Sequence, residues 1–161
     1  MTTDKKTAGA IVLGMHDALV SLTGMICGLT FSLADRRMII LSAIIASVAA
    51  GLSMGASNYL AEKTNKNPFA RYAGLMTSVA YLGTCAFLIF PFFIVADTYH
   101  ALIMSFAMAV LIILTCNWCI GRAHACPWWR HAIEMLVICT AVTIVTFIIG
   151  DIARVWIGIV I

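Results

Sequence analysis

The chain has 161 residues, 63% hydrophobic and 11% charged, with a formal net charge of +3 and a mean hydropathy of +1.03. Soluble domains carry about 25% charged residues, so the composition excludes a soluble globular domain and predicts an integral membrane protein. The small basic excess sorts by side of the membrane, as set out below, and gives no reason to expect a nucleic-acid partner.

The charges separate five apolar stretches, at residues 8–33, 38–61, 72–96, 101–120 and 133–149, the last extensible toward the C-terminus. Each is close to the roughly 17–25 residues that cross a hydrocarbon core. The expected fold is all-α, five transmembrane helices in one domain over residues 1–161, with loops too short for a soluble domain. The first stretch is too long for a cleaved signal peptide and lacks a small-x-small cleavage site. Lys5, Lys6, Lys63, Lys66, Arg71, Arg122 and Arg130 fall on the side of the N-terminus, and Arg36, Arg37 and Arg154 on the other. The positive-inside rule then puts the N-terminus in the cytosol and, after five spans, the C-terminus outside.

In span one, Ala10, Gly14, Asp17, Ser21, Gly24 and Gly28 recur at steps of 4, 3, 4, 3 and 4, so they share a helix face. Five of the six are small or hydroxylated, which lets a second helix approach closely. The sixth, Asp17, is an ionisable group within lipid, and such groups mark substrate paths. The bland alternative is a structural hydrogen bond across helices.

The turn Ser32-Leu33-Ala34-Asp35-Arg36-Arg37 makes spans one and two an antiparallel hairpin. Span two repeats the rhythm with Ala43, Ser47, Ala50, Met54, Ser57 and Ala61. Gly14, Gly24 and Gly28 with Ala50 and Ser57 are the expected packing residues, on each other or on a second subunit. Counted from the cytosolic ends at ~1.5 Å per residue, Asp17 and Met54 both lie ~10–14 Å deep. Most of the nine Met in so apolar a chain are packing residues. Asn58 and Glu62 follow Met54 at i+4 and i+8, Glu62 either facing the entrance or closing a solvated helix end. His16 stands ~100° round the helix from Asp17, as a second path residue or a packing histidine.

Span three carries Pro91, which is expected to kink or end it. After span four comes Cys116-x-x-Cys119-x4-His124-x-Cys126-x4-His131, ligand types without a recognised zinc spacing. They are an accessory metal-acquisition site or ordinary helix-end residues. None of the six cysteines falls in an external loop, so no disulfide framework is expected. Trp128 and Trp129 suit the membrane interface. His131 with Glu134, and Asp151 with Arg154, are spaced as i, i+3 pairs.

Span one reads Gly14-x-x-Asp17-Ala18-Leu19-Val20-Ser21-x-x-Gly24-x-x-x-Gly28, and span two Ala50-Gly51-Leu52-Ser53-Met54-Gly55-Ala56-Ser57-Asn58-Tyr59-Leu60-Ala61. These resemble the vacuolar iron transporter family, whose spans carry G-x-N-D-G-L-V-S-x-x-G-x-x-x-G and D-A-L-S-M-A-A-G-E-Y-L-S. Asn67-Pro68, Pro91 and Gly121-Arg122 are also similar, while only the first two spans are specific. The resemblance implies a homodimer of five-helix subunits with a divalent-metal path lined by the first two helices near the dimer axis. It implies metal leaving the cytosol in exchange for protons, with Asp17 and Met54 as the path carboxylate and thioether. The family's Glu is Asn58 here, its first Asp in span two is Ala50, the Asn before the key Asp is His16, and the Gly after it is Ala18. The glutamate-rich domain that many relatives insert between spans two and three has no counterpart in the short 62–71 stretch.

The expected function is therefore transport of Fe²⁺, and of Mn²⁺, out of the cytosol by proton antiport, without catalysis. The metal is substrate and no tightly bound cofactor is expected. Path residues are Asp17, Met54, Asn58, Glu62, His16 and Ser21, with Cys116, Cys119, His124 and Cys126 as the accessory group. The partners are metal ions, protons, lipid and a second copy. The expected location is a prokaryotic plasma membrane, with an organellar membrane as the alternative. The rival readings are a membrane thiol-redox protein using Cys116 and Cys119, and a transport-inactive metal sensor.

Overall fold

The computed structural model describes residues 3–33, 35–124 and 128–157, with side chains for 8–32, 35–119 and 129–156. Five helices account for them: α1 (Thr3–Leu33), α2 (Arg36–Thr64), α3 (Ala70–Ile94), α4 (Thr98–His124) and α5 (Trp128–Ile157). There is no strand among the described residues. Each helix holds a stretch long and apolar enough to cross a membrane. Helices α2, α4 and α5 overrun their apolar stretches at both ends, α5 the most, while α1 and α3 do so only at their starts and α3 ends at Ile94, short of residue 96.

The helix ends follow local chemistry. Asp35 caps α2, its carboxylate accepting from the Arg37 N–H at 2.9 Å. After α2 the Asn67 N–H bonds the Glu62 carbonyl at 3.0 Å, and the Asn67 amide donates to the Glu62 carboxylate. Asn67 Oδ1 in turn accepts from the Phe69 N–H at 3.1 Å, which starts α3. Pro91 is buried in the last turn of α3, which ends three residues later with the Val95 N–H on the Pro91 carbonyl at 2.9 Å. At the same end, Arg36 reaches from α2 to the Val95 carbonyl at 2.9 Å. His100 hydrogen-bonds Asp97 between α3 and α4 and holds that exposed carboxyl below the usual carboxylate range. The pairing expected of Asp151 and Arg154 does not form among the described residues.

The centre of the bundle is α3, which packs extensively against both α1 and α2, while α1 also packs along α5. Its buried line runs Ala73, Gly74, Thr77, Tyr81, Cys85, Leu88 and Phe92. The outermost helix is α5: 6% of its membrane window is buried against 50% for α1, so its apolar residues face the lipid position.

The small face of α1 is divided between two neighbours. Gly14 lies against Thr77 and Tyr81 of α3, and Gly24 and Gly28 against Val142 and Thr146 of α5. A Cβ on Gly28 would stand 3.0 Å from the Thr146 carbonyl, and one on Gly150 2.8 Å from the Gly28 carbonyl. On α2 the close approach belongs to Gly51 and Gly55, which meet Leu82, Ser78 and Gly74 of α3. Ala50 is half-buried and Ser57 exposed. The reason is room: two glycines one turn apart bring backbones nearer than Ala and Ser can, so α3 settles on the Gly51–Gly55 line.

Candidate functional site: a carboxylate on the open face of α1

Leu13, Asp17 and Ser21 follow at i+4 steps along α1 and are exposed, while Gly14, Ala18 and Leu22 beside them are buried. This open line runs along the membrane window Ala8–Ser32, with Asp17 about 14 Å from its start at ~1.5 Å per residue. The Asp17 carboxylate accepts no hydrogen bond among the described residues.

One turn on, the Ser21 hydroxyl donates to the Asp17 backbone carbonyl at 2.7 Å and sits 2.8 Å from the Tyr81 hydroxyl. Ser21 has one proton to give, so the Tyr81 hydroxyl donates to Ser21. Tyr81 is 2% exposed, and this contact brings its polar tip to the open line.

One turn back along α3, the Thr77 hydroxyl reaches the Ala10 carbonyl at 3.1 Å and the Ala73 carbonyl at 3.0 Å. Asn58 of α2 donates to Thr77 Oγ1 at 2.6 Å, and Ser78 donates to the Gly51 carbonyl at 2.9 Å. A single stretch of α3, residues 77–81, thus touches α1 between Ala10 and Ser21 and α2 between Gly51 and Asn58. Asp17 lies within the first of those two stretches and Met54 within the second.

The other sequence-derived candidates separate. Met54 is half-buried and packs at the edge of the core. Asn58 has its amide committed to α3, and Glu62 is tied to Asn67 at the loop. His16 lines a different cleft, between α1, α4 and α5. Cys116 is half-buried and Cys119 exposed, while the side chain of His124 and all of Cys126 lie outside the described residues. Among the described residues no three His, Cys, Asp or Glu side chains gather closely enough to hold a metal.

Tyr81, Thr77, Gly51 and Gly55 were not among the sequence-derived candidates. Their signals were present: Gly74, Thr77, Ser78 and Tyr81 recur at steps of 3, 1 and 3 on α3, and Gly51-x-x-x-Gly55 is a close-packing motif.

The exposed carboxylate, the hydroxyl below it and the glycines that bring α2 to α3 all fall in the first part of the chain. Residues 8–72 match the family model of the VIT family. The VIT-matching stretch holds Asp17, Ser21, Met54, Asn58 and Glu62, and ends before Tyr81, α4 and α5. Comparison with curated proteins returns no match. A VIT stretch within a bundle of membrane-length helices makes this an integral membrane protein and points its function to metal-ion transport.

The Asn58–Thr77 bond is an α2–α3 tie on the buried side of the site. Hydrogen bonds between membrane helices are worth about 0.6–2 kcal/mol. Asn58→Ala is expected to cost about 1 kcal/mol, read as an earlier unfolding midpoint in detergent with helicity unchanged. An unchanged midpoint would show that the tie contributes nothing.

Proposed function

We propose that the chain moves Fe²⁺, and Mn²⁺ less readily, out of the cytosol in exchange for protons, as two copies facing one another across the open line of α1. The observation that carries this reading is Asp17: a carboxylate unpaired among the described residues and exposed on a single subunit within a membrane-length stretch. Left against lipid, such a group costs several kcal/mol; against a second copy it lines a path. Among its described residues the single chain brings no three His, Cys, Asp or Glu together there, and a second copy would supply its own Asp17 and Met54. The exposed residues of α2 near Met54 include Ser53, Ala56 and Ser57, small enough to let the copies come close.

The chemistry follows from the donors. A carboxylate with a thioether suits a borderline transition metal better than Mg²⁺ or Ca²⁺, which demand oxygen. Only the ionised carboxylate binds metal, so metal ions and protons compete for Asp17. The Lys and Arg bias puts the N-terminal end in the cytosol, and in a prokaryotic plasma membrane the outcome is export.

The test is reconstitution. Proteoliposomes with an imposed pH gradient and a trapped metal-sensitive dye are expected to show Fe²⁺ flux that collapses when a protonophore removes the gradient. Absence of flux under every gradient would sink the reading. Met54→Leu keeps the side-chain volume and removes the sulfur. It is expected to lower the Fe²⁺ to Mn²⁺ flux ratio about threefold to tenfold, because Mn²⁺ depends less on a soft ligand. An unchanged ratio in competition would leave Met54 as packing only.

A further inference from the structure

His131 and Glu134 lie one turn apart at the start of α5, and the path around Asp17 uses neither. With His16, Asn117 and Met135 they line a cleft of about 290 Å³ between α1, α4 and α5. Both α5 side chains are largely exposed, 61% and 70%, so they stand at the mouth. His131 Nδ1 is 3.9 Å from the Glu134 carboxylate. That is too long for a hydrogen bond. It does suit two ligands of one ion, since donors at about 2.0–2.2 Å from a metal stand roughly 3.4 Å apart at a tetrahedral angle and up to about 4.2 Å when opened.

A third donor comes from α1. His16 Nε2 is buried and has no hydrogen-bond partner among the described residues, an uncompensated cost for a polar atom at that depth. Asn117 spends its amide N–H on the Ile113 carbonyl at 2.8 Å, which leaves its amide oxygen as an acceptor. Imidazole nitrogen, carboxylate, amide oxygen and thioether are all lone-pair donors toward a cation. No Lys or Arg is among the described residues lining the cleft.

We propose that this cleft is a second divalent-cation site, separate from the Asp17 face, that takes a borderline transition-metal ion on His131, Glu134 and His16. At rest the three do not stand within reach of one ion. Ligation by His16 as well as the α5 pair therefore requires its imidazole and the mouth of the cleft to draw together around the ion. The site does not rest on the transport reading, because binding is measured without flux.

The experiment uses the full chain in detergent with Asp17→Asn in place, titrated with Zn²⁺ by calorimetry and with Co²⁺ by visible absorption. The expected result is one ion per chain, with Co²⁺ bands of nitrogen and oxygen ligation. Glu134→Gln, His131→Gln and His16→Gln are each expected to weaken binding about tenfold or more at unchanged helicity. Glu134→Gln is nearly isosteric at an exposed position, so a folding defect will not mask the answer. The proposal is overturned if the Asp17→Asn chain binds no ion, or if binding is indifferent to Glu134→Gln and His131→Gln. It is also overturned if Cys119→Ser with Cys126→Ser removes the site, which would place the ion on thiols. Zn²⁺ binding by the Asp17→Asn chain, together with no metal flux in the chain that keeps Asp17, would support this site and count against the transport reading alone.

Discussion

Asp17→Asn is expected to stop metal flux while leaving the bundle folded. The substitution keeps the side chain's shape and removes its charge and its titratable proton. Two unit charges 4 Å apart attract by about 4 kcal/mol at an effective dielectric near 20, and a dication doubles that to about 8 kcal/mol. Even a third of this amount is about a hundredfold in affinity. The coupling goes as well, because an amide has no proton to exchange for metal. Stability should not fall, since the carboxylate accepts no hydrogen bond among the described residues and a neutral amide costs less than a charge at that depth. Flux in proteoliposomes and thermal unfolding in detergent, measured on one preparation, check both halves. Wild-type flux in Asp17→Asn would remove the carboxylate from the mechanism. Lost flux together with lost helicity would show that its role is structural.

The five spans were legible because hydropathy is a property of each stretch alone, and Lys5, Arg36, Lys63 and Arg130 mark where the stretches break. Helix rise converts residue counts into depth, which is how the sequence sets Asp17 and Met54 at similar expected distances from the cytosolic end. Which helix would fill the small-residue faces was not legible. The stripe from Ala10 to Gly28 states that something comes close, without naming it. In the structure α3 takes the Gly14 end and α5 the Gly24 and Gly28 end, because α1 crosses from one to the other. On α2 the 4-3-4 rhythm through Ala50, Met54 and Ser57 drew attention away from Gly51 and Gly55, one position off. The pairing is a long-range fact: the glycine that Gly55 meets, Gly74, lies beyond the loop, and its own small-residue spacing does not say which helix it meets.

That division of labour bears on the site. With α3 gripping α1 and α2 from the buried side, through Thr77, Ser78 and Tyr81, the opposite sides of α1 and α2 are left open together. Had α1 and α2 packed chiefly on each other, Asp17 would have had a neighbour within its own chain. The glycines on the α2–α3 contact therefore set up the exposed carboxylate from behind.

The α2–α3 contact is accordingly where a single methyl is expected to do most harm. A Cβ on Gly74 would stand 2.6 Å from the Gly55 carbonyl oxygen and 2.7 Å from Tyr59 Cβ, and one on Gly55 would meet the Gly74 carbonyl oxygen at 2.7 Å and collide with the Ser78 hydroxyl. The obstacles include backbone atoms, which yield only if the helices move apart, and overpacking of this kind costs about 1–3 kcal/mol. Replacing Gly by Ala in a helix returns up to about 1 kcal/mol of propensity, so steric cost wins and Gly74→Ala is expected to lose about 1–2 kcal/mol. Gly83, on the same helix, has nothing within 4 Å of the place of a Cβ. Gly83→Ala therefore isolates the propensity gain and is expected to raise stability by up to about 1 kcal/mol. Gly55→Ala and Gly74→Ala push on the same contact, and once one has opened it the second meets less resistance. Their double variant is expected to fall short of additivity by about 1 kcal/mol. Unfolding midpoints in detergent for the four variants settle it: Gly74→Ala behaving like Gly83→Ala, or strict additivity of the pair, would mean that α2 and α3 do not meet backbone to backbone at these glycines.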